Sequence, residues 1–211
     1  MGLIDFHCHV LPGVDDGVKD LDGTKEQFKA YQEAGFDRVV FTPHVYNPYV
    51  QSRIELFRER TAMAMAAAKD YGLTTWLGCE LFVGSQTELK AIPIMGRYVL
   101  CEFDRFLQPR ALVERLRQLT DRHFTVVLAH VERYRWFSVD CEMLHRLQGL
   151  DVMFQVNVEA VESGEAAPWL ETKLADIIAT DNHGDATLPC RLREQLGRWP
   201  YLVKRMERLH A

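Results

Sequence analysis

The chain has 211 residues, 47% hydrophobic and 26% charged, a balance typical of a globular domain with a sizeable core. Its formal charge of -5 argues against a surface that coats nucleic acid, since such surfaces are usually basic. No apolar run approaches the ~18 residues of a membrane-spanning helix, and the N-terminus lacks a signal-peptide pattern. The five widely spaced cysteines favour reduced thiols. We therefore expect one cytoplasmic domain over residues 1–211, without membrane insertion or a nucleic-acid partner.

Short apolar or β-branched runs alternate with longer helical patterns along the chain. The runs predict strands at 3–9, 38–43, 74–80, 97–103, 125–130, 152–158 and 177–181. The helical patterns predict helices near 23–34, 51–71, 110–122, 140–149, 167–175 and 189–210. Strand–helix alternation is typical of a parallel sheet, and apolar strands this continuous favour an α/β fold closed into a distorted barrel. An open, doubly wound sheet is the alternative.

Histidines and carboxylates recur where the predicted strands end. The first strand ends in His7 and His9, and because residues i and i+2 of a strand point to the same side, both imidazoles face one way. The last strand runs into a second pair of this kind, Asp181 and His183. The other strand ends and the first loop add His44, Glu80, Glu102, His130 and Asp16. Because the carboxyl ends of barrel strands converge on one mouth, the sequence predicts a single site.

The chemistry of these ligands indicates a metal cluster. Carboxylates within a few ångströms of one another repel and cannot all stay ionised without cations between them. Mixed imidazole and carboxylate ligands suit Mn, Fe, Co or Zn better than Ca or Mg, and nine ligands are enough for two or three ions. Such a cluster lowers the pKa of bound water and clamps an in-line displacement at phosphorus. The residues alone therefore predict a metal-dependent phosphoesterase.

A series of motifs carries a family resemblance from the first strand to His183. In chain order the sequence contains IDFHCHVLPGVDDG, FTPHVYN, LGCEL, VLCEF, LAHVERY, QVNVEAV and IATDNHG. Together they resemble the PHP (polymerase and histidinol phosphatase) superfamily. The opening motif and AHVERY are similar to those of the CpsB/CapC-type manganese-dependent protein-tyrosine phosphatases of capsule and exopolysaccharide biosynthesis.

The resemblance implies a distorted (β/α)7 barrel of the PHP type with three metals, Mn2+ first, and Fe, Co and Zn as alternatives. It implies three groups of ligands: His7, His9 and Asp181 for one metal, Glu80, Glu102 and His130 for a second, with Glu80 bridging the two, and Asp16, His44 and His183 for a third. It also places Arg133 against the substrate phosphate, where a guanidinium can bind two oxygens at once.

The predicted roles follow from these assignments. Arg133, Asp181 and His183 are predicted as catalytic residues. Arg133, Arg191 and Tyr46 are predicted to bind substrate, and Tyr46, Tyr49 and Tyr134 are the candidates to stack on an aromatic substrate ring. The family usually has an asparagine after the last histidine and an arginine a few residues on. Here the stretch reads HGDATLPCR, so Arg191 is the candidate for that second arginine.

The implied function is hydrolysis of phosphotyrosine on a protein, a bacterial tyrosine kinase of polysaccharide biosynthesis, with hydroxide held by the metals as nucleophile. A cysteine nucleophile is not supported, because none of the five cysteines has an arginine six positions later. A PHP-type phosphatase of a small molecule such as histidinol phosphate, a metal-dependent nuclease and a non-catalytic module that keeps its metals remain alternatives. An oligomer is also left open, since Trp169, Trp199 and the segment 189–210 could cover an interface.

Overall fold

Short parallel strands form the centre of the protein. The structure is a computed structural model that describes residues 2–86 and 88–210, so Met1, Thr87 and Ala211 of the predicted 1–211 domain lie outside the described residues. The strands are β1 (Leu3–Cys8), β2 (Phe36–Phe41), β3 (His44–Val45), β4 (Thr74–Leu77), β5 (Glu80–Phe82), β6 (Tyr98–Glu102), β7 (Thr125–Leu128), β8 (Met153–Asn157) and β9 (Ile177–Ala179). Their hydrogen-bonded order is β1-β2-β4 in one sheet and β3-β5-β6-β7-β8-β9 in the other.

The two sheets join into one ring. The pairs β2/β3 and β4/β5 are each a single barrel strand interrupted by two residues, and the Glu80 N–H donates to the carbonyl of Pro43 across the interruption, at 3.1 Å. Beyond β9, the Asp181 N–H donates to the His7 carbonyl at 2.9 Å, and the His9 N–H to that of Asn182 at 2.8 Å. Because β9 thus returns to β1, the predicted seven-stranded distorted barrel is confirmed and the open-sheet alternative is wrong.

Helices cover the outer face of the barrel. They are α1 (Leu21–Glu33), α2 (Phe57–Ala68), α3 (Leu112–Thr120), α4 (Glu142–Gln148), α5 (Val158–Ser163), α6 (Ala167–Glu171), α7 (Leu188–Arg198) and α8 (Pro200–Met206). Asp20 begins α1, where its carboxylate accepts from the Gly23 N–H at 2.9 Å. In α3 the buried side chains are Leu112, Val113, Leu116 and Leu119, which repeat at helical spacing. No helix of the described residues is long and apolar enough to cross a membrane.

Two predictions about elements are wrong for identifiable reasons. The helix predicted at 189–210 is broken after Arg198, because Pro200 has no N–H and restricts Trp199, which takes a non-helical φ of -120° and ψ of 68°. The strand predicted at 74–80 stops at Leu77, and Glu80 begins β5 instead of ending a strand. The backbone is closely packed in between, since a Cβ on Gly78 would lie 2.3 Å from Ile94 Cγ1.

A buried carboxyl joins β1, β9 and α1 directly behind the predicted ligands. Asp5 is fully buried, and its Oδ2 accepts from the Tyr31 hydroxyl at 2.6 Å and from the Thr180 hydroxyl. Its Oδ1 accepts from the Thr180 N–H at 3.2 Å. Burial raises the pKa of Asp5 even though these hydrogen bonds oppose the shift. The arrangement fixes the strand positions from which His7 and Asp181 project.

We predict that Tyr31→Phe lowers the free energy of unfolding by about 1–3 kcal/mol, because Asp5 loses a buried donor while the ring packing is kept. Urea denaturation measures this difference. Tyr71→Phe is the matched control, because the Tyr71 ring packs on Phe28 but its hydroxyl has no hydrogen bond among the described residues. Equal stability of the two variants would contradict the proposed importance of the Asp5 contact.

Candidate metal centre

The structure brings all nine predicted metal ligands together at the carboxyl ends of the strands. Eight of them form three groups in which the ligand atoms lie within 4.8 Å of one another: His7, His9, Glu80 and Asp181; His9, Asp16, His44 and His183; and His44, Glu80 and Glu102. The ninth, His130, places its Nε2 2.7 Å from Glu80 Oε1 and 4.0 Å from Glu102 Oε2. The grouping resembles the predicted one, but His44 belongs both to the group with Asp16 and His183 and to the group with Glu102.

Glu80 lies at the middle of the cluster. Its side chain is fully buried, and its Oε2 is 3.3 Å from the Nε2 atoms of both His7 and His9 and 3.1 Å from His44 Nδ1. Within the described part of the chain this oxygen has no hydrogen-bond partner. Burial raises the pKa of Glu80, but the positive charge of His7 and the other imidazoles outweighs burial and holds it well below its ordinary value. A buried carboxylate oxygen without a donor is costly, so the position fits a cation.

The tautomers of His7 and His9 point to the same conclusion. His7 Nδ1 lies 3.1 Å from Gln155 Oε1, which also accepts from the His130 N–H at 2.9 Å. His9 Nδ1 lies 2.9 Å from Asp15 Oδ2. Because both partner atoms are acceptors, the Nδ1 atoms donate and the two Nε2 lone pairs face each other at 3.2 Å. Two lone pairs this close need a proton or a metal ion between them.

Asp181 completes this group from the end of β9, the strand that closes the barrel beside β1. Its Oδ1 is 3.3 Å from each of the two Nε2 atoms of His7 and His9. Burial raises the pKa of Asp181, but the charges of His7 and Arg133 and the contact with His9 hold it well below its ordinary value. Burial lowers the pKa of His9, yet its contacts with Asp15, Asp181 and Glu80 leave it well above the usual range. The cluster therefore holds its carboxylates in the charged form and favours binding of a cation.

The outermost group lies closer to solvent. His183 Nδ1 is 2.8 Å from the Asp181 carbonyl, to which it donates, and its Nε2 is 3.4 Å from Asp16 Oδ1. His44 Nε2 is 3.5 Å from the same Asp16 oxygen. The contact with His183 lowers the pKa of Asp16 against partial burial. His44 Nδ1, in contrast, lies 3.1 Å from Glu102 Oε1, so the structure places His44 between the second and third groups.

Strained backbone aims two of the ligands. His130 has φ 34° and Asp181 has φ 51°, a left-handed conformation that costs a non-glycine residue about 1–3 kcal/mol. In this conformation the His130 N–H reaches Gln155 and the Asp181 N–H reaches the His7 carbonyl. The strain is thus offset by hydrogen bonds that hold both side chains toward Glu80 and His7.

Sequence reasoning missed the residues that hold the ligands in place. Gln155 Nε2 donates to Asn157 Oδ1 at 2.7 Å, and Asn157 Nδ2 donates to Asp181 Oδ2 at 3.0 Å. Asn47 Nδ2 donates to Glu102 Oε1 at 2.6 Å. Gln155 and Asn157 form an i, i+2 pair in β8, so the rule that pairs His7 with His9 could have found them. Asp15 had no such signal, because it lies in a loop next to Asp16.

A cavity of about 430 Å³ opens over the cluster. Arg133 lines it and is 30% exposed, and its Nη1 lies 2.7 Å from Asp181 Oδ2. Aromatic rings from Tyr49, Phe82 and Phe106 line the same cavity. A phosphoryl group at the cluster would therefore meet a guanidinium, and the group that carries it would meet aromatic rings.

The structure does not bring the other two predicted substrate-binding residues to this cavity. Tyr46 is not among the residues that line it, and Tyr49, Phe82, Phe103 and Phe106 supply the phenyl rings of the lining instead. Arg191 is also absent from the lining, and its Nε donates to Glu162 Oε2 at 3.0 Å on the exposed side of α7. The roles of Tyr46 and Arg191 in substrate binding stay predictions without support from this geometry.

Comparison with known families decides where this site belongs. The family described as "Capsular polysaccharide synthesis, CpsB/CapC" matches residues 3–207. The chain belongs to the CpsB/CapC family. It is 26% identical to the tyrosine-protein phosphatase CpsB of Streptococcus pneumoniae, over 86% of this chain and 83% of that protein. It is 24% identical to the tyrosine-protein phosphatase YwqE of Bacillus subtilis, over 92% of this chain and 82% of that protein.

Solved structures share the barrel. A chain from the crystal structures of YwqE from B. subtilis and CpsB from S. pneumoniae, described as metal-dependent tyrosine phosphatases, superposes with a TM-score of 0.80. It is 23% identical and covers 97% of this chain and 93% of that chain. A lactonase from Listeria monocytogenes superposes with a TM-score of 0.55 at 8% identity, over 97% of this chain and 91% of that chain. At these identities the likeness shows the fold.

We predict that Gln155→Leu weakens metal binding about 10–100-fold, because His7 loses the acceptor that fixes its tautomer. Isothermal titration calorimetry and elemental analysis measure affinity and stoichiometry independently of activity. Gln155→Glu keeps an acceptor for His7 and for the His130 N–H, so it should bind metal more tightly than the leucine variant. Gln195→Leu, at a buried glutamine of α7 outside the ligand groups, is the control. Unchanged affinity in Gln155→Leu would contradict the assigned role.

Proposed function

We propose that this protein is a metal-dependent phosphatase that hydrolyses phosphotyrosine on a protein. The observation that carries the proposal is the lining of one cavity, which combines the buried histidine–carboxylate cluster with Arg133 and the aromatic rings of Tyr49, Phe82 and Phe106. The cluster and Arg133 suit a phosphoryl group, and the rings suit the aromatic ring of phosphotyrosine. The activity in the names of the related CpsB, CapC and YwqE proteins supports it.

The metal ligands we propose are the nine residues of the cluster, with Mn2+ as the metal. A ligand set of five imidazoles and four carboxylates favours Mn, Fe, Co or Zn, and the family resemblance favours Mn among them. Divalent cations bound there would supply Lewis acidity and lower the pKa of a water molecule. Glu80, with its unpartnered Oε2, is placed to bridge two of them.

Arg133 is proposed to bind the phosphoryl oxygens. Its ion pair with Asp181 fixes one side of the guanidinium, while the partly exposed remainder faces the cavity. A planar guanidinium can donate two parallel hydrogen bonds to phosphoryl oxygens, and it stabilises the charge that builds up there as the ester bond breaks. Asp181 would thus act both as a metal ligand and as the group that positions Arg133.

The thiols of the barrel do not compete for the nucleophile's role. Cys8, Cys79 and Cys101 are buried, and burial raises the pKa of Cys79 to about 12 and the pKa of Cys8 and Cys101 well above the ordinary value. A thiol nucleophile must be a thiolate, so these three are protonated and inert at neutral pH. Attack by water therefore fits the site better than a phosphocysteine route.

The proposed protein partner is a bacterial tyrosine kinase of polysaccharide biosynthesis. The family description, capsular polysaccharide synthesis, supports this choice. We also propose that residues 1–211 act as one domain. The cytoplasmic location and the oligomeric state stay predictions.

We predict that chelation abolishes hydrolysis of a phosphotyrosyl peptide and that Mn2+ restores it, because bound divalent cations would supply the Lewis acidity and lower the pKa of the attacking water. Phosphate release before and after dialysis against a chelator, with metal content measured in parallel, is the assay. Full activity in a metal-free preparation would contradict the proposal. Faster turnover of histidinol phosphate, or release of mononucleotides from single-stranded DNA, would instead support the small-molecule phosphatase or the nuclease.

We predict that Arg133→Ala lowers kcat/KM for the peptide about 10²–10³-fold, the usual cost of losing one donor to a developing oxyanion. Arg133→Lys should restore little, since an ammonium cannot donate two parallel hydrogen bonds. The metal stoichiometry of each variant shows whether the cluster survives. Arg191→Ala is the comparison, with a loss below about threefold because its exposed ion pair with Glu162 contributes little. A large rise in KM for that variant would show that Arg191 binds phosphate after all.

A further inference from the structure

Large exposed apolar side chains gather where the metal cavity opens. Tyr49 is 76% exposed and Phe106 63% exposed, and both line the metal cavity. Leu107, 72% exposed, lines an adjoining groove of about 470 Å³. Exposed apolar groups concentrated around one opening mark an interaction site more often than a random scatter does. The surface at issue, the mouth groove, is defined by Phe82, Asp104, Arg105, Phe106, Leu107 and Arg110.

The groove is continuous with the metal cavity and firmly built. Phe82 and Asp104 line both spaces. Asp104 accepts hydrogen bonds from the N–H groups of Phe106 at 2.8 Å and Leu107 at 2.9 Å, and from the Tyr49 hydroxyl at 2.8 Å. The Arg135 guanidinium also lies over the Phe106 ring, with its Cζ 4.8 Å from the ring centroid. The apolar side chains are therefore held in position, so a ligand would not have to order them.

The charge of this opening is opposite to that of the whole chain. Arg105 lines the cavity and Arg110 the groove, while Arg135 covers Phe106. None of the three forms an ion pair with another described residue, whereas the chain as a whole carries a net charge of -5. Unpaired arginines at the edge of a groove attract an anionic partner and repel a cationic one.

We propose that the mouth groove binds the protein segment that flanks the phosphotyrosine and selects a segment with an acidic side chain. The inference rests on the proposed phosphatase function, because the phosphotyrosine must point into the metal cavity. With its phosphoryl group at the cluster, the main chain of the substrate must leave past the aromatic lining, and the groove is continuous with that exit. Phe82 and Leu107 then contact the segment, and Arg105 and Arg110 pair with its acidic side chain.

The test compares two phosphotyrosyl peptides that differ only in the flanking residues, glutamate in one and lysine in the other. We expect wild-type protein to favour the glutamate peptide about tenfold in kcat/KM at low salt and less at high salt, because exposed charges are screened. Arg110→Glu should abolish or reverse this preference. Arg198→Glu, the same change at an exposed arginine that lines neither space, is the control and should keep it.

The outcomes separate this inference from the function on which it rests. Hydrolysis of neither peptide by metal-loaded wild-type protein would overturn the phosphatase function itself. Hydrolysis of both at equal rates, or the same preference in Arg110→Glu as in Arg198→Glu, would overturn only the groove. A dimer in solution that Leu107→Asp dissociates, with no change in peptide preference, would show that a second copy of this chain occupies the surface.

Discussion

The constraint on which the structure depends is the buried charge of Glu80. A carboxylate that is buried from water is stable only if opposite charge surrounds it. Here the imidazoles of His7, His9 and His44 supply that charge, with nitrogen atoms 3.1–3.3 Å from Glu80 Oε2. Those imidazoles come from the first two strands of the barrel, whereas Glu80 comes from the third. These three barrel strands are neighbours, so the counter-charge is assembled by their direct pairing. Closure of the ring adds Asp181, whose strained backbone is tolerated because its N–H then donates to the His7 carbonyl.

A second layer of polar groups gives the cluster its chemistry. Gln155 accepts from His7 and from the His130 N–H, so one amide oxygen fixes a tautomer and a strained backbone together. The same side chain donates to Asn157, which donates to Asp181, which in turn holds Arg133. The proposed cation site and the proposed phosphoryl-binding arginine are thus linked through one chain of polar contacts. A change at Gln155 acts on both ends, although Gln155 itself faces neither substrate nor solvent.

Local rules predicted the cluster because it is built on strands. The i, i+2 spacing places His7 and His9 on the same side of the strand whatever surrounds them. Because strand ends of a barrel converge on one mouth, the ligands from the other strands come together there as well. The choices that the sequence left open or got wrong depend on contacts distant in sequence. Of the tyrosine candidates, Tyr49 rather than Tyr46 lines the cavity because Asp104, 55 positions further on, holds the Tyr49 hydroxyl. Arg191 ends the HGDATLPCR stretch that follows the last strand, but its side chain pairs with Glu162, 29 positions earlier, which no local pattern links to it.

One irregularity of the barrel explains why the mouth is open on one side. Most successive strands are joined through a helix on the outer face, but between β5 and β6 the described residues contain none. Val83, Gly84 and Ser85 of that connection line the space of about 470 Å³ that Leu107 also lines. The Arg115 guanidinium donates to the carbonyls of Gly84 and Gln86 and so keeps the short connection in place. The proposed metal ligands are therefore carried by strand ends around the barrel, whereas the proposed recognition of the segment around the phosphotyrosine depends on this connection and on the loop after β6.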